Sequence, residues 1–414
     1  MYLRGSKWNM TRRTRRRSSP WRIFLLVSLV AAGLYVNKFV VPTAPSLFSP
    51  TPTPTRNPES FVQEAENLYA QGKMIPAIEA YELAIRADPT NKSNFVTLAR
   101  IQVWAGMYED ALENAEKALI GNDEYALAHA VKGWAQNFLG DHLEAKASIK
   151  KAIQLDPNSY LAHAYYAEIL TDSGDYGDME KAIDESRIAY DLSPTSLESL
   201  RARGYVLLNT GNYAESIEMY KSAVNINKTI PDLFLYLGYN YKNLGEYDLA
   251  IEYFVQANTL NPANDIPDLE ASRVYATVGD FGKAVQFAEL AVKDNPTYPY
   301  RYGNLGIMYY KAGDINKAID TLSLAIRGGT NADGIGVEGL PLDYGTVASY
   351  YVYYGLALSQ AVPNRCSEAV PVFQAVITGV PDDVDNVFNA NYGLDLCSEA
   401  ADEEPAGIQA TDAP

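Results

Sequence analysis

The stretch PDLFLYLGYNYKNLGEYDLAIEYFVQANTLNP, Pro231 to Pro262, decides the fold. Apolar residues recur at i, i+3, i+4 and i+7 on both sides of Gly245, the spacing of two amphipathic helices. Glycine can adopt the left-handed backbone that ends the first helix, so Gly245 marks a tight turn between them. Ala250 and Ala257 are small enough to let the two helix backbones approach closely. Pro262 cannot continue a helix and closes the second. One such hairpin cannot bury both apolar faces by itself, so copies of it must stack.

Copies are present. Gly72, Gly106, Gly140 and Gly174 follow one another at 34 residues, and after a step of 37 the series continues with Gly211, Gly245, Gly279 and Gly313 at 34. Five residues after the glycine stands a small residue: Ala77, Ala111, Ala145, Ser216, Ala250, Ala284 and Ala318. A fixed period of this length is the mark of a solenoid. The sixth unit, with Leu237-Gly238, Tyr241, Gly245, Tyr247, Ala250, Phe254, Ala257 and Pro262, resembles the tetratricopeptide repeat. The resemblance implies an all-α, right-handed superhelical solenoid of antiparallel helix pairs. Eight units are expected over residues 58–331, the fourth lengthened in its turn, TDSGDYGDMEK. A ninth, atypical unit is expected over 347–381, a capping helix over 382–399, and a disordered acidic tail over 400–414. Between units eight and nine, residues 328–346 form a glycine-rich insertion, expected to be a flexible flap at the mouth of the groove.

Members of this family present the first helix of each hairpin to a concave groove. Carried over by position, the groove candidates are Arg100, Trp104, Trp134, Arg201, Tyr205, Tyr239, Lys242, Asn243, Arg273, Tyr310 and Lys311. The tyrosines could equally pack helix on helix, whereas the arginines are assigned to the groove because buried unpaired arginine is rare. Such a groove, aromatic and locally basic, suits an extended acidic or aromatic-rich protein segment. The Lys-x-x-x-Asn arrangement of chaperone-tail-binding relatives is not matched.

The N-terminal segment is of another kind. Residues 1–56 hold ten cations and no acid; removing these ten charges from the formal −17 leaves −27 on residues 57–414. So acidic a body repels phosphate backbones, and no nucleic-acid partner is expected. After the basic tail of residues 1–20, the span 21–41, WRIFLLVSLVAAGLYVNKFVV, is long and apolar enough for one membrane helix. Arginines before the span place the N-terminus in the cytoplasm and the repeats outside. A retained anchor is favoured over a cleaved secretory signal, and both readings export the body. Prolines at 42, 45, 50, 52, 54 and 58 make residues 42–57 a semi-rigid stalk.

Enzyme chemistry finds no footing. There is no phosphate loop, nucleophile elbow, His-Glu-x-x-His or Cys-x-x-Cys. His129 and His163 share one repeat position in adjacent units and are read as packing residues rather than metal ligands. Asn331-Ala332-Asp333-Gly334-Ile335-Gly336 resembles a calcium loop but lacks its acid at the twelfth position, Leu342. The expectation is a non-catalytic scaffold, with no cofactor and no metal, binding a protein or peptide partner outside the membrane. The alternative is an accessory subunit of an envelope machine that handles glycans or secretion, its aromatic side chains stacking on sugars.

The two cysteines, Cys366 and Cys397, stand fifteen residues before and sixteen after Pro381. With Cys366 opening the second helix of unit nine and Cys397 ending the capping helix, equal arms bring the sulfurs together at the open end of a hairpin. Export to an oxidising compartment makes a disulfide the expected outcome.

Overall fold

The computed structural model describes residues 19–40 and 56–403. It divides into two compact units, Met1–Asn57 and Pro58–Pro414. The expected basic tail (1–20), stalk (42–57) and acidic tail (400–414) lie largely outside the described residues. In the first unit, helix α1 (Pro20–Tyr35) opens on a proline whose missing N–H costs nothing at that position, and a π-helical segment, Val36–Val40, continues it. Pro20–Lys38 is long and apolar enough to cross a membrane, with a mean hydropathy of 1.4 and no buried residue; a signal sequence has the same length and composition.

The second unit is a stack of helix pairs: α2 (Pro58–Ala70) and α3 (Met74–Ala87), α4 (Lys92–Trp104) and α5 (Tyr108–Leu119), α6 (Ala126–Phe138) and α7 (His142–Leu155), and α8 (Tyr160–Ser173) and α9 (Asp178–Leu192). Then come α10 (Leu197–Asn209) and α11 (Tyr213–Ile226), α12 (Pro231–Asn243) and α13 (Tyr247–Leu260), α14 (Ile266–Thr277) and α15 (Phe281–Asp294), and α16 (Pro299–Lys311) and α17 (Ile315–Arg327). After the insertion, α18 (Thr346–Gln360) and α19 (Cys366–Gly379) form a ninth pair, and α20 (Val384–Glu403) packs against both. α20 therefore runs four residues past the expected end of the capping helix at 399.

Two glycines of one hairpin show how this geometry is made. Gly245 has φ of 78° and open space where a Cβ would stand, so the backbone alone demands glycine. Its N–H donates to the Lys242 carbonyl and that of Glu246 to the Tyr241 carbonyl, the paired bonds that satisfy a helix C-terminus. Gly238 is ordinary helix, but a Cβ there would meet the Phe254 ring at 2.5 Å. The missing side chain makes the socket into which the second helix inserts its fully buried aromatic ring.

The insertion is not a free flap. Gly329–Thr330 pairs antiparallel with Gly336–Val337, and the Asn331 side chain accepts from the Asp333 and Ile335 amides while donating to the Tyr302 hydroxyl at 2.9 Å. Leu340 N–H donates to the Ala325 carbonyl, and the Leu340 carbonyl accepts from Tyr351. The Gly345 amide donates to Asp383 at 2.7 Å. These bonds tie the segment to units eight and nine, which the count of glycines concealed.

Cys366 and Cys397 are joined in a disulfide with their Cα atoms 5.4 Å apart. Near them a Cβ on Gly393 would meet the Phe373 ring at 2.2 Å, so α20 and α19 are in backbone-close contact.

Candidate functional site

From unit two to unit eight, the inner wall of the stack is written by the position six residues before the turn glycine: Arg100, Trp134, Glu168, Tyr205, Tyr239, Arg273 and Ile307. In units two to five this wall closes on itself. Trp134 is 1% exposed and Arg201 3% exposed. The Arg201 guanidinium pairs with Glu168, lies 3.9 Å from Asp232, and is boxed by the rings of Trp104 (5.2 Å), Phe138 (5.6 Å), Tyr236 (5.8 Å) and Trp134 (5.9 Å). Trp134 donates its indole N–H to Glu168 at 2.8 Å and stacks on Tyr165. Burial works most strongly against the Arg201 cation, but Glu168 together with Tyr236, Asp232 and Tyr220 outweighs it and raises its pKa; the Glu168 carboxyl is itself held above its ordinary range by burial.

Arg100 pairs with Glu198, 98 residues further along the chain, and Trp104 reaches Arg201 in the same way. Unit two therefore touches unit five across the interior. A Cβ on Gly72 would lie 2.2 Å from the Thr229 methyl, so the first hairpin turn also abuts the end of unit five. A cavity of about 620 Å³ remains at this seam, lined by Met74, Ile75, Trp104, Tyr108, Asp232 and Leu260 among others. The expectation that Trp104, Trp134 and Arg201 face an open groove is thus corrected. Buried unpaired arginine is indeed rare, but this one is paired and ringed by aromatics. Arg100 is half-buried in its pair. Tyr205, half-buried, donates its hydroxyl to Asp172.

Units six to nine keep an accessible wall. Tyr239 stands edge-on to Phe254 at 5.6 Å, with the Lys242 ammonium 5.4 Å from its ring. Lys242 and Arg273 converge on one carboxylate, Glu270, at 2.5 and 2.8 Å. Burial, then the Glu270 charge, pushes the Tyr239 phenol well above its ordinary pKa, so it remains a hydroxyl donor throughout the physiological range. Arg301 pairs with Asp265 at 2.5 Å. Further along, the Tyr310 hydroxyl accepts from Gln360 at 2.7 Å and its ring meets Tyr353 at 5.2 Å. Asn243, Arg273 and Lys311 are exposed. The structure thus brings Tyr239, Lys242 and Arg273 together and leaves Tyr310 and Lys311 on the neighbouring first helix but one.

Sequence reasoning missed Glu270, Arg301, Tyr353 and Gln360 on this wall. Glu270 and Asp265 temper the basic character expected of it. The histidines hold turns: the His129 and His163 rings bond the carbonyls of Asp123 and Pro157, each six residues back, at 2.9 Å. Tyr302, at the same repeat position, donates to the Pro296 carbonyl over the same interval and distance. The spacing was visible; the shared carbonyl partner was not.

Comparison with known proteins follows the same lines. The tetratricopeptide repeat profile matches residues 126–159, 198–230 and 232–264. Human tetratricopeptide repeat protein 28 is 25% identical over 166 residues, 40% of this chain and 7% of that protein. Mouse DnaJ homolog subfamily C member 7 is 28% identical over 101 residues, 24% of this chain and 20% of that protein. The chain therefore spans a small part of the length of these curated relatives. Among solved structures, the crystal structure of the APC/C hetero-tetramer Cut9–Hcn1 is similar in fold, with a TM-score of 0.55 at 16% identity over 64% of this chain and 52% of that one. Three of the helix-pair stretches thus match the tetratricopeptide repeat, and the stack as a whole shares its fold.

Proposed function

We propose that this chain of tetratricopeptide repeats is a non-catalytic scaffold, tethered to a membrane by α1, that holds an extended protein segment against the inner wall of units six to nine on the extracytoplasmic side. The observation that carries the reading is the wall itself: Tyr239, Lys242 and Arg273 arranged around Glu270, with Arg273 exposed where Trp134 and Glu168, at the same repeat position, are buried. A half-buried aromatic ring flanked by two cations offers a stacking surface and donors for acidic groups. The Cys366–Cys397 bond and the apolar, unburied α1 support export and tethering. Arg273 is the best probe because its exposed side chain can change without unfolding the stack.

The test is affinity purification of the full chain from solubilised membranes, wild type against Tyr239→Ala/Arg273→Glu, with a glycan array in parallel. A stoichiometric protein partner lost on substitution supports the scaffold. A partner retained in full by the double variant overturns the groove, and glycan binding lost with the same changes favours the sugar-handling alternative.

A further inference from the structure

A solenoid ends well when its last helix turns a polar face to solvent. α20 does not. Its inner face is fixed to the body by Ala390, Gly393 and Cys397, all buried, with Gly393 against the Phe373 ring. Its outer face carries Val384, Phe388 and Tyr392, which are 75%, 70% and 54% exposed. These residues are spaced i, i+4 and i+8, so they form one stripe about 12 Å long at the rise of an α-helix. Single exposed apolar residues are normal on any surface; an aligned aromatic stripe on a helix that is already apolar on its other side is the pattern of a helix packed on both faces.

Charge says what covers it. The exposed charged side chains along α20 are Asp385, Asp395 and Glu399, with Asp382 in the turn before it. From Cys366 to Pro414 the sequence holds ten acids and no lysine, arginine or histidine. A second copy of this end would bring acid against acid. We infer that the Val384–Phe388–Tyr392 stripe is a docking surface for a basic amphipathic helix of a partner protein, whose apolar side covers the three residues while its lysines or arginines meet the flanking acids. The disulfide at one end and the Phe373 socket at the middle hold the surface rigid before the partner arrives, which lowers the ordering cost of binding. This surface is separate from the wall around Glu270, and the two readings stand or fall independently.

The test uses the full chain in zwitterionic-lipid nanodiscs and a fluorescent leucine–lysine helical peptide, with binding to empty nanodiscs subtracted. The expected result is micromolar binding that weakens as salt is raised, falls about tenfold or more in Phe388→Ala/Tyr392→Ala, and falls also in Asp385→Lys/Asp395→Lys/Glu399→Lys. A leucine–glutamate peptide of the same length should not bind. Because all five side chains are exposed, unchanged melting and an intact disulfide verify that the variants fold. Equal binding by the Phe388/Tyr392 variant, equal binding of the acidic peptide, or a dimer in sedimentation that the same variant abolishes would each overturn the proposal. Arg273→Glu should leave this binding unchanged.

Discussion

Units two to five and units six to nine are cut from the same repeat, yet one half has spent its inner wall on itself while the other leaves it accessible. The difference lies in which residue occupies one repeat position. Trp134 and Glu168 stand there in adjacent units, a ring with a donor followed by an acid, and Arg201 then reaches in to the acid from the following first helix. Tyr239 and Arg273 stand at the same place further on, and their acid, Glu270, comes from the same helix as Arg273, so the cation remains at the surface. The Arg201 cation is thus buried with its acid, whereas the Arg273 cation stays at the surface.

The sharpest way to break this comparison is Arg201→Met. It strands a buried carboxylate and should cost about 3 to 5 kcal/mol, measured by urea unfolding and as lost hydrogen-exchange protection across α6 to α10. Arg273→Met, at the exposed side of its pair, should cost less than about 1 kcal/mol. Equal costs would mean that the two walls do not differ in the way described.

Next in size is the disulfide. Replacing Cys366 and Cys397 by alanine opens a closed span of 31 residues and should remove about 3 to 4 kcal/mol in the chain-entropy account. Because repeats couple mainly to their neighbours, the loss should appear as exchange confined to α18–α20. Protection lost equally in α4–α10 would show that the sealed half is not the independent unit drawn here.

A smaller effect belongs to α14, where Asp268 is 1% exposed and its pKa is raised to about 6 by burial and by Asp294. The folded pKa lies above the unfolded value of about 3.9, so the carboxyl is tolerated below about pH 4, and its cost builds up between about pH 4 and about 6 and is full above that. Asp268→Asn should therefore raise stability by about 2 kcal/mol at pH 7.5 and leave it unchanged at pH 3.5, read from melting curves at the two pH values. A gain equal at both would remove ionisation as the cause. Smaller again is Gly245→Ala, which strains a left-handed turn with no steric neighbour and should cost about 1 kcal/mol.

Helices, turns and the cysteine pairing were legible because each depends on residues close in sequence or on equal arms about one proline. The inner wall was legible only as a row of positions. Whether Arg201 faces solvent depends on how tightly the stack winds, and that is set by small rotations summed over several units. One signal was present and unread: Glu168, an acid inside the apolar run YYAEIL, sits where its neighbours have rings or cations. The flap reading of 328–346 failed for a similar reason, since Asn331 and Leu340 also find partners outside the loop, on α16, α17 and α18.

The pairing of Arg100 with Glu198 also sets a clock for synthesis. A ribosome adding about 5 to 20 residues per second needs about 5 to 20 s to make the 98 residues between them. Through that interval Arg100 lacks its carboxylate and Trp104 the guanidinium that will lie over its ring, so the first hairpins wait, incompletely closed, for a helix that has yet to emerge.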